Sequence, residues 1–246
     1  MRLFLFLFSL FFAQTAWGFE LSLAESTLDL GKGVSSTTAT IVNNSTTMIA
    51  IEAGARIRRY SEDGVENFDT AAENLIMIPS QMIIPPNGEQ VLNIRWTGPR
   101  DISDEKAYRL LIEYVAISED KLKGVESQEQ QAGININYRI AKSFYVSPRG
   151  AKAKIELNNI RTEQREGKAV LGLFFENTGT KHQIIHGLDL EVQTVTDEKL
   201  KLSFGSEELG GSINFLPKEK RQVFIPTPEL LTGKEIKKAT ILGFGQ

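Results

Sequence analysis

Few residues in this chain are placed to do covalent chemistry. His182 and His186 are its only histidines, four residues apart in TKHQIIHGLDL. On a helix that spacing brings two imidazoles to one face, where they can share a metal. Here the stretch reads as a turn entering a strand. The chain has no cysteine, and no HExxH context supplies further ligands. Two solvent-facing turn histidines are expected, and no metal site. There is no GxSxG elbow, P-loop or GxGxxG. GSEELGG, 205–211, has glycines but no lysine for a phosphate, and reads as a turn. Carboxylates gather in polar loops such as SEDG and SDE, where no acid–base pair is recognisable. No catalytic residue and no cofactor are expected, and the chain reads as a non-enzyme.

What remains is a pattern suited to binding. In GININYRIAKSFYVSP, residues 133–148, Ile134, Ile136, Tyr138 and Ile140 alternate with Asn135, Asn137, Arg139 and Ala141. That is the period of a half-buried strand. Lys142 takes the place where the next apolar residue is due. Such a strand either turns its apolar side to its own core or presents it to another protein. An exposed apolar edge is an aggregation hazard unless it has a use. RIRRY, 56–60, is the one basic cluster. A solvated strand face is expected there, with an anion or partner contact as the alternative.

The elements that must position these residues are strands. FELSLAESTLDL, TTATIVNN and MIAIEAGARIRRY come first. In the third, Ile49, Ile51, Ala53, Ala55 and Ile57 face one way, and Glu52, Gly54, Arg56 and Arg58 the other. Pro79, Pro85 and Pro86 interrupt two short apolar runs and belong at edges or turns, because proline cannot donate to a ladder. YRLLIEYVAI reads as buried on both faces. A polar segment, SEDKLKGVESQEQQAG, joins it to the alternating strand as the long acidic connection of a hairpin. SPRGAK reads as a linker. Beyond it AKIELNNI, AVLGLFFEN, LDLEVQTV, KLKLSF, GSINFL, RQVFIP and KATILGF recur every 8–12 residues or so, with turn signals between them. SDEKAYRLL and TPELLTGKEIKK could each hold a short helical turn. The expected fold class is all-β, with two antiparallel Ig-like β-sandwich domains at 19–148 and 149–246.

Arg2, the apolar run LFLFLFSLFF and the small residues Ala16 and Gly18 read together as a secretory signal peptide over residues 1–18, with Phe19 starting the mature chain. The run is too short for a membrane-spanning helix, which needs about 20 apolar residues. The protein is therefore expected to be exported and not embedded in the membrane. Without cysteine, stability must come from packing alone. A formal net charge of −3 gives no basic field for nucleic acid.

Laid out in this order, the chain resembles the periplasmic pilus (fimbrial) assembly chaperones of the chaperone–usher pathway, in a less typical branch. The resemblance rests on NLIMIPSQMIIPPNGEQVLNIRW, DEKAYRLLIEYV, IAKSFYVSPRGA, FFENTGTKH and NFLPKEKRQVFIP. It implies the periplasm as compartment, and a chaperone that binds and stabilises pilin-like subunits by donor-strand complementation, a form of β-augmentation, and delivers them to an outer-membrane usher. Ile134, Ile136, Tyr138 and Ile140 would fill the subunit's groove, and Lys142 would hold its C-terminal carboxylate. Two features depart from the family pattern. Lys142 stands six residues before Pro148, one more than the resemblance implies, which a β-bulge would absorb. FELSLAESTLDLG has no basic residue where the family places an arginine, near Ser26. Either Lys142 acts alone, or another arginine such as Arg109 or Arg139 substitutes. Which subunits are bound, and whether the unloaded chain self-associates, is left open. The alternative is a secreted Ig-like structural or adhesive protein.

Overall fold

The computed structural model describes residues 18–115 and 138–245. The fold is all-β, two antiparallel Ig-like sandwiches in tandem. In the first, one sheet has the order β1 (Phe19–Leu23), β3 (Ser36–Asn43), β9 (Glu89–Trp96), β7 (Leu75–Ile78). The facing sheet has the order β2 (Thr27–Asp29), β11 (Arg139–Ser147), β10 (Lys106–Val115), β4 (Ile49–Ile57), β8 (Gln81–Ile84). A short ribbon, β5 (Arg59–Tyr60) with β6 (Glu66–Asn67), projects from the end of β4. Ile41, Ile51, Ile84, Leu92, Ile94, Leu110, Ile112 and Phe144 form a fully buried core between the sheets.

FELSLAESTLDL, expected as one strand, is two. Leu21 and Leu28 are both buried in the first core, yet seven residues apart on one strand they would face opposite sides. The chain resolves this by crossing over at Ala24–Ser26, so that β1 pairs with β3 in one sheet and β2 pairs in parallel with β11 in the other. Pro79 lies in the bend between β7 and β8, and Pro85 and Pro86 follow β8.

The second sandwich packs β12 (Ile155–Arg165), β13 (Lys168–Asn177) and β18 (Lys220–Pro226) against β15 (Leu188–Thr194), β16 (Lys199–Phe204) and β19 (Ile236–Gly243). A small ribbon, β14 (Gln183–Ile185) with β17 (Ile213–Phe215), closes the end nearest the first sandwich. Leu171, Leu173, Leu190, Val192 and Phe215 centre its core. Of the two expected helical turns, the second appears as a 3-10 turn, Glu229–Leu231, while SDE forms only a bend; a further 3-10 turn sits at Leu30–Lys32.

SPRGAK is not a free tether. Thr180 and Lys181 N–H groups donate to Lys152 O, and Thr178 N–H to Lys154 O. Gly179 lies so close that a Cβ there would stand 2.4 Å from Lys152 O. Among the described residues no helix is long and apolar enough to cross a membrane. The expected signal segment lies, apart from Gly18, outside the described residues.

Candidate functional site

The alternating strand forms the far side of the β10–β11 hairpin. The register runs from Glu113↔Arg139 to Lys106↔Val146 without a shift, so the bulge expected near Lys142 is not in this ladder. Ile134 and Ile136 lie outside the described residues. Tyr138 is 45% exposed, whereas Ile140 is half-buried against the first core. Both share a face with Phe144 and Val146, which are fully buried. The row thus starts in solvent and ends in the protein's own interior.

Among the described residues, the backbone on the other flank is open over most of its length. Tyr114 N donates to Tyr138 O at 3.0 Å, so in this antiparallel ladder the even-numbered residues of β11 bond to β10. The N–H and C=O groups of Arg139, Ala141 and Ser143 therefore point away from it. β2 occupies that flank only from Tyr145 to Ser147, and Tyr145 N donates to Ser26 O. Upstream of Ser26, no described strand pairs with β11.

Lys142 sits on this open stretch, exposed, opposite Leu110 in the ladder. It has no ion-pair partner among the described residues. Neither substitute arginine stands free beside it. Arg109 points from the opposite face of the sheet and grips Glu66 with Nε at 2.6 Å and Nη2 at 2.8 Å. Arg139 is ion-paired with Glu113. Ser26, where the resemblance implies an arginine, is exposed and offers its carbonyl to Tyr145.

The outward face of β11 carries a second constellation. Ser143 Oγ accepts from Arg109 Nη1 at 2.9 Å and Arg58 Nη1 at 3.1 Å. Tyr145 OH accepts from Arg58 Nη1 at 3.1 Å and from Asn214 Nδ2, in the second sandwich, at 2.7 Å. Ser147 Oγ donates to Glu105, which also accepts His182 N at 2.9 Å and bonds its Nδ1. Burial pulls Glu105 upward, but the His182 and Ser147 hydrogen bonds outweigh it and hold its carboxyl below the usual range. Burial likewise raises Glu66, and Arg109 and Arg58 overcome it, leaving that carboxyl lowered too.

Two expectations are corrected here. RIRRY is not a uniformly solvated face: Arg58 is only 6% exposed, because the chain leaves β4 there and turns the guanidinium under the β5–β6 ribbon to meet Glu66. His182 is not a solvent-facing turn residue, since its ring lies against Tyr145 in the joint; His186 is exposed, beside Ser212. Outward-facing Ser143, Tyr145 and Ser147 are readable as a row from the strand period. Their partners come from segments that only the tertiary fold brings together. These groups hold one another.

No family model matches the chain, and no curated protein matches it. Solved structures do. A chain of a chaperone–tip adhesin complex described as vital for synergistic activation of CFA/I fimbriae biogenesis aligns with a TM-score of 0.54 at 14% identity, covering 90% of this chain and 93% of that one. The class 5 fimbriae chaperone CfaA aligns with a TM-score of 0.53 at 13% identity, over 90% and 97% of the two chains. The fold is that of the fimbrial chaperones. A chain of the Salmonella enterica SafA pilin–SafB chaperone complex aligns at 0.50 and 13% identity, over 87% of this chain and 86% of that one. In this fimbrial-chaperone fold, the open edge of β11 and the Tyr145 joint lie on one strand, a few residues apart.

Proposed function

We propose that this protein is a non-catalytic periplasmic chaperone that binds pilus subunits by donor-strand complementation and delivers them to an outer-membrane usher. The observation that carries the reading is that, among the described residues, no strand pairs with the outer flank of β11 before Tyr145. That flank offers three N–H and C=O pairs, on Arg139, Ala141 and Ser143, to an incoming strand, the physical requirement for β-augmentation. On this reading Ile134, Ile136 and Tyr138 fill pockets in the subunit groove. Ile140 joins them from a position already half-sheltered by the chaperone's own core. Lys142 alone anchors the subunit's C-terminal carboxylate, since Arg109 and Arg139 are held by Glu66 and Glu113. The domains are taken as 19–148 and 149–246, and residues 1–18 as the signal removed on export. The similar solved structures support the reading, since two of them are complexes of a chaperone with a pilin or tip adhesin.

The test is co-purification from periplasm followed by mass spectrometry of the bound chains. A small Ig-like subunit recovered with the wild type, and lost when Ala141→Pro removes an edge N–H, is the expected result. Recovery of the same subunit with both proteins would count against the edge as the binding site.

A further inference from the structure

A groove of about 570 Å³ lies where the two sandwiches meet, and none of Tyr138, Ile140 and Lys142 lines it. Its floor is apolar, with Ile57, Ala107 and Tyr108 from the first sandwich and Leu216 and Pro217 from the second. Arg59, Lys106 and Lys220 stand exposed along its rim. None of the three has an ion-pair partner among the described residues.

The carboxylates of the groove wall are already engaged. Glu105 is clasped by His182 and Ser147. Glu219 accepts Leu216 N at 2.7 Å and is paired with Arg221. Glu62 accepts Gln222 Nε2 at 3.1 Å. The remaining lysine, Lys218, donates to Thr178 O at 2.8 Å. The groove therefore presents three cations without ion-pair partners, against the one exposed carboxylate of Glu62 held only by a neutral amide, around a largely apolar floor, at a volume typical of ligand sites, roughly 300–1,000 Å³.

We propose that this groove binds an extended acidic peptide segment bearing an apolar side chain. The apolar side chain covers the floor, and flanking carboxylates meet Arg59, Lys106 and Lys220. A polyanion without apolar groups leaves the floor wet, and a neutral apolar peptide leaves the three charges unpaired; a segment with both satisfies both. The site is separate from the open edge of β11 and stands whether or not that edge holds a subunit.

The test is fluorescence anisotropy on the mature full-length protein, with a fluorescein-labelled peptide of alternating Glu and Leu. Saturable binding is expected, weakened by about tenfold or more in the triple variant Arg59→Glu, Lys106→Glu, Lys220→Glu, as the loss of charge-assisted contacts implies. Lys142→Ala and Ala141→Pro should bind the peptide as the wild type does. A Glu–Ser peptide should bind several-fold more weakly. If the triple variant unfolds by circular dichroism, the single variants Lys106→Gln and Lys220→Gln take its place, each expected to weaken binding measurably. No saturable binding, equal binding by the charge variants, or equal binding of the Glu–Ser peptide would overturn the proposal. So would loss of binding in Ala141→Pro with the triple variant unaffected, which places the peptide on the β11 edge.

Discussion

Tyr145 of the first sandwich and His182 of the second stack face to face, their ring centroids 3.7 Å apart and their planes within 4° of parallel. The phenol hydroxyl continues the joint by accepting from Arg58 on one side and Asn214 on the other. Tyr145→Phe keeps the stack but leaves both donors without that acceptor in a buried place. Chemical denaturation should show a loss of about 1–3 kcal/mol. A change within error would mean that water replaces the hydroxyl and that the polar contacts add little.

The buried Glu105 makes the joint acid-sensitive. Its carboxyl is held lower in the folded protein than in the unfolded chain. A depressed carboxylate stabilises the fold above its unfolded pKa, near 4.3, and that contribution fades as pH falls through the folded value. Melting temperature measured from neutral pH to about pH 3 should therefore fall less steeply in Glu105→Gln than in the wild type. Parallel curves would exclude Glu105 as a source of the acid loss.

Lys142 is exposed and contributes no ion pair among the described residues. Lys142→Ala should melt like the wild type and yet fail to recover a subunit, since a charge-assisted contact to a carboxylate contributes roughly 1.5–3 kcal/mol. Normal recovery of the complex by a folded variant would remove Lys142 from the site.

Tyr138 and Ile140 should behave differently from each other. Tyr138→Ser removes an exposed ring and should weaken subunit binding with little change in melting temperature. Ile140→Thr opens a gap beside the first core and should lower stability by about 0.5–1.5 kcal/mol before binding is considered. Equal stability losses in the two variants would show that both side chains serve the protein's own interior.

Gly179 packs on the backbone of the segment joining the sandwiches. Gly179→Ala forces a shift of that segment, because the obstructing atoms are main-chain rather than the far end of a flexible side chain. A loss on the order of 1–3 kcal/mol, the usual cost of overpacking, is expected in thermal unfolding. An unchanged melting temperature would show that the segment yields freely.

Most of the fold is legible in strand period. The alternation in MIAIEAGARI and in the later apolar runs reports one buried face, and burial follows from it directly. The crossing between β1 and β2 is hidden because it depends on Leu21 and Leu28 serving opposite sheets of one core, which no local window reveals. Lys142 stands out as a charge in an apolar register. Arg58, Glu66, Glu105 and His182 do not, because a charged residue on an outward face looks solvated until the partner that buries it is known. Ile140 is legible as apolar, but not as a residue already leaning on its own sandwich.

The short parallel pairing of β2 with β11 has a mechanical meaning. It closes one end of a rail that no other described strand occupies. A strand laid on that flank and running in the same direction as β2 meets Ser26 head-on, and must either end there or leave the sheet. The crossing of the first strand thus acts as a buffer stop.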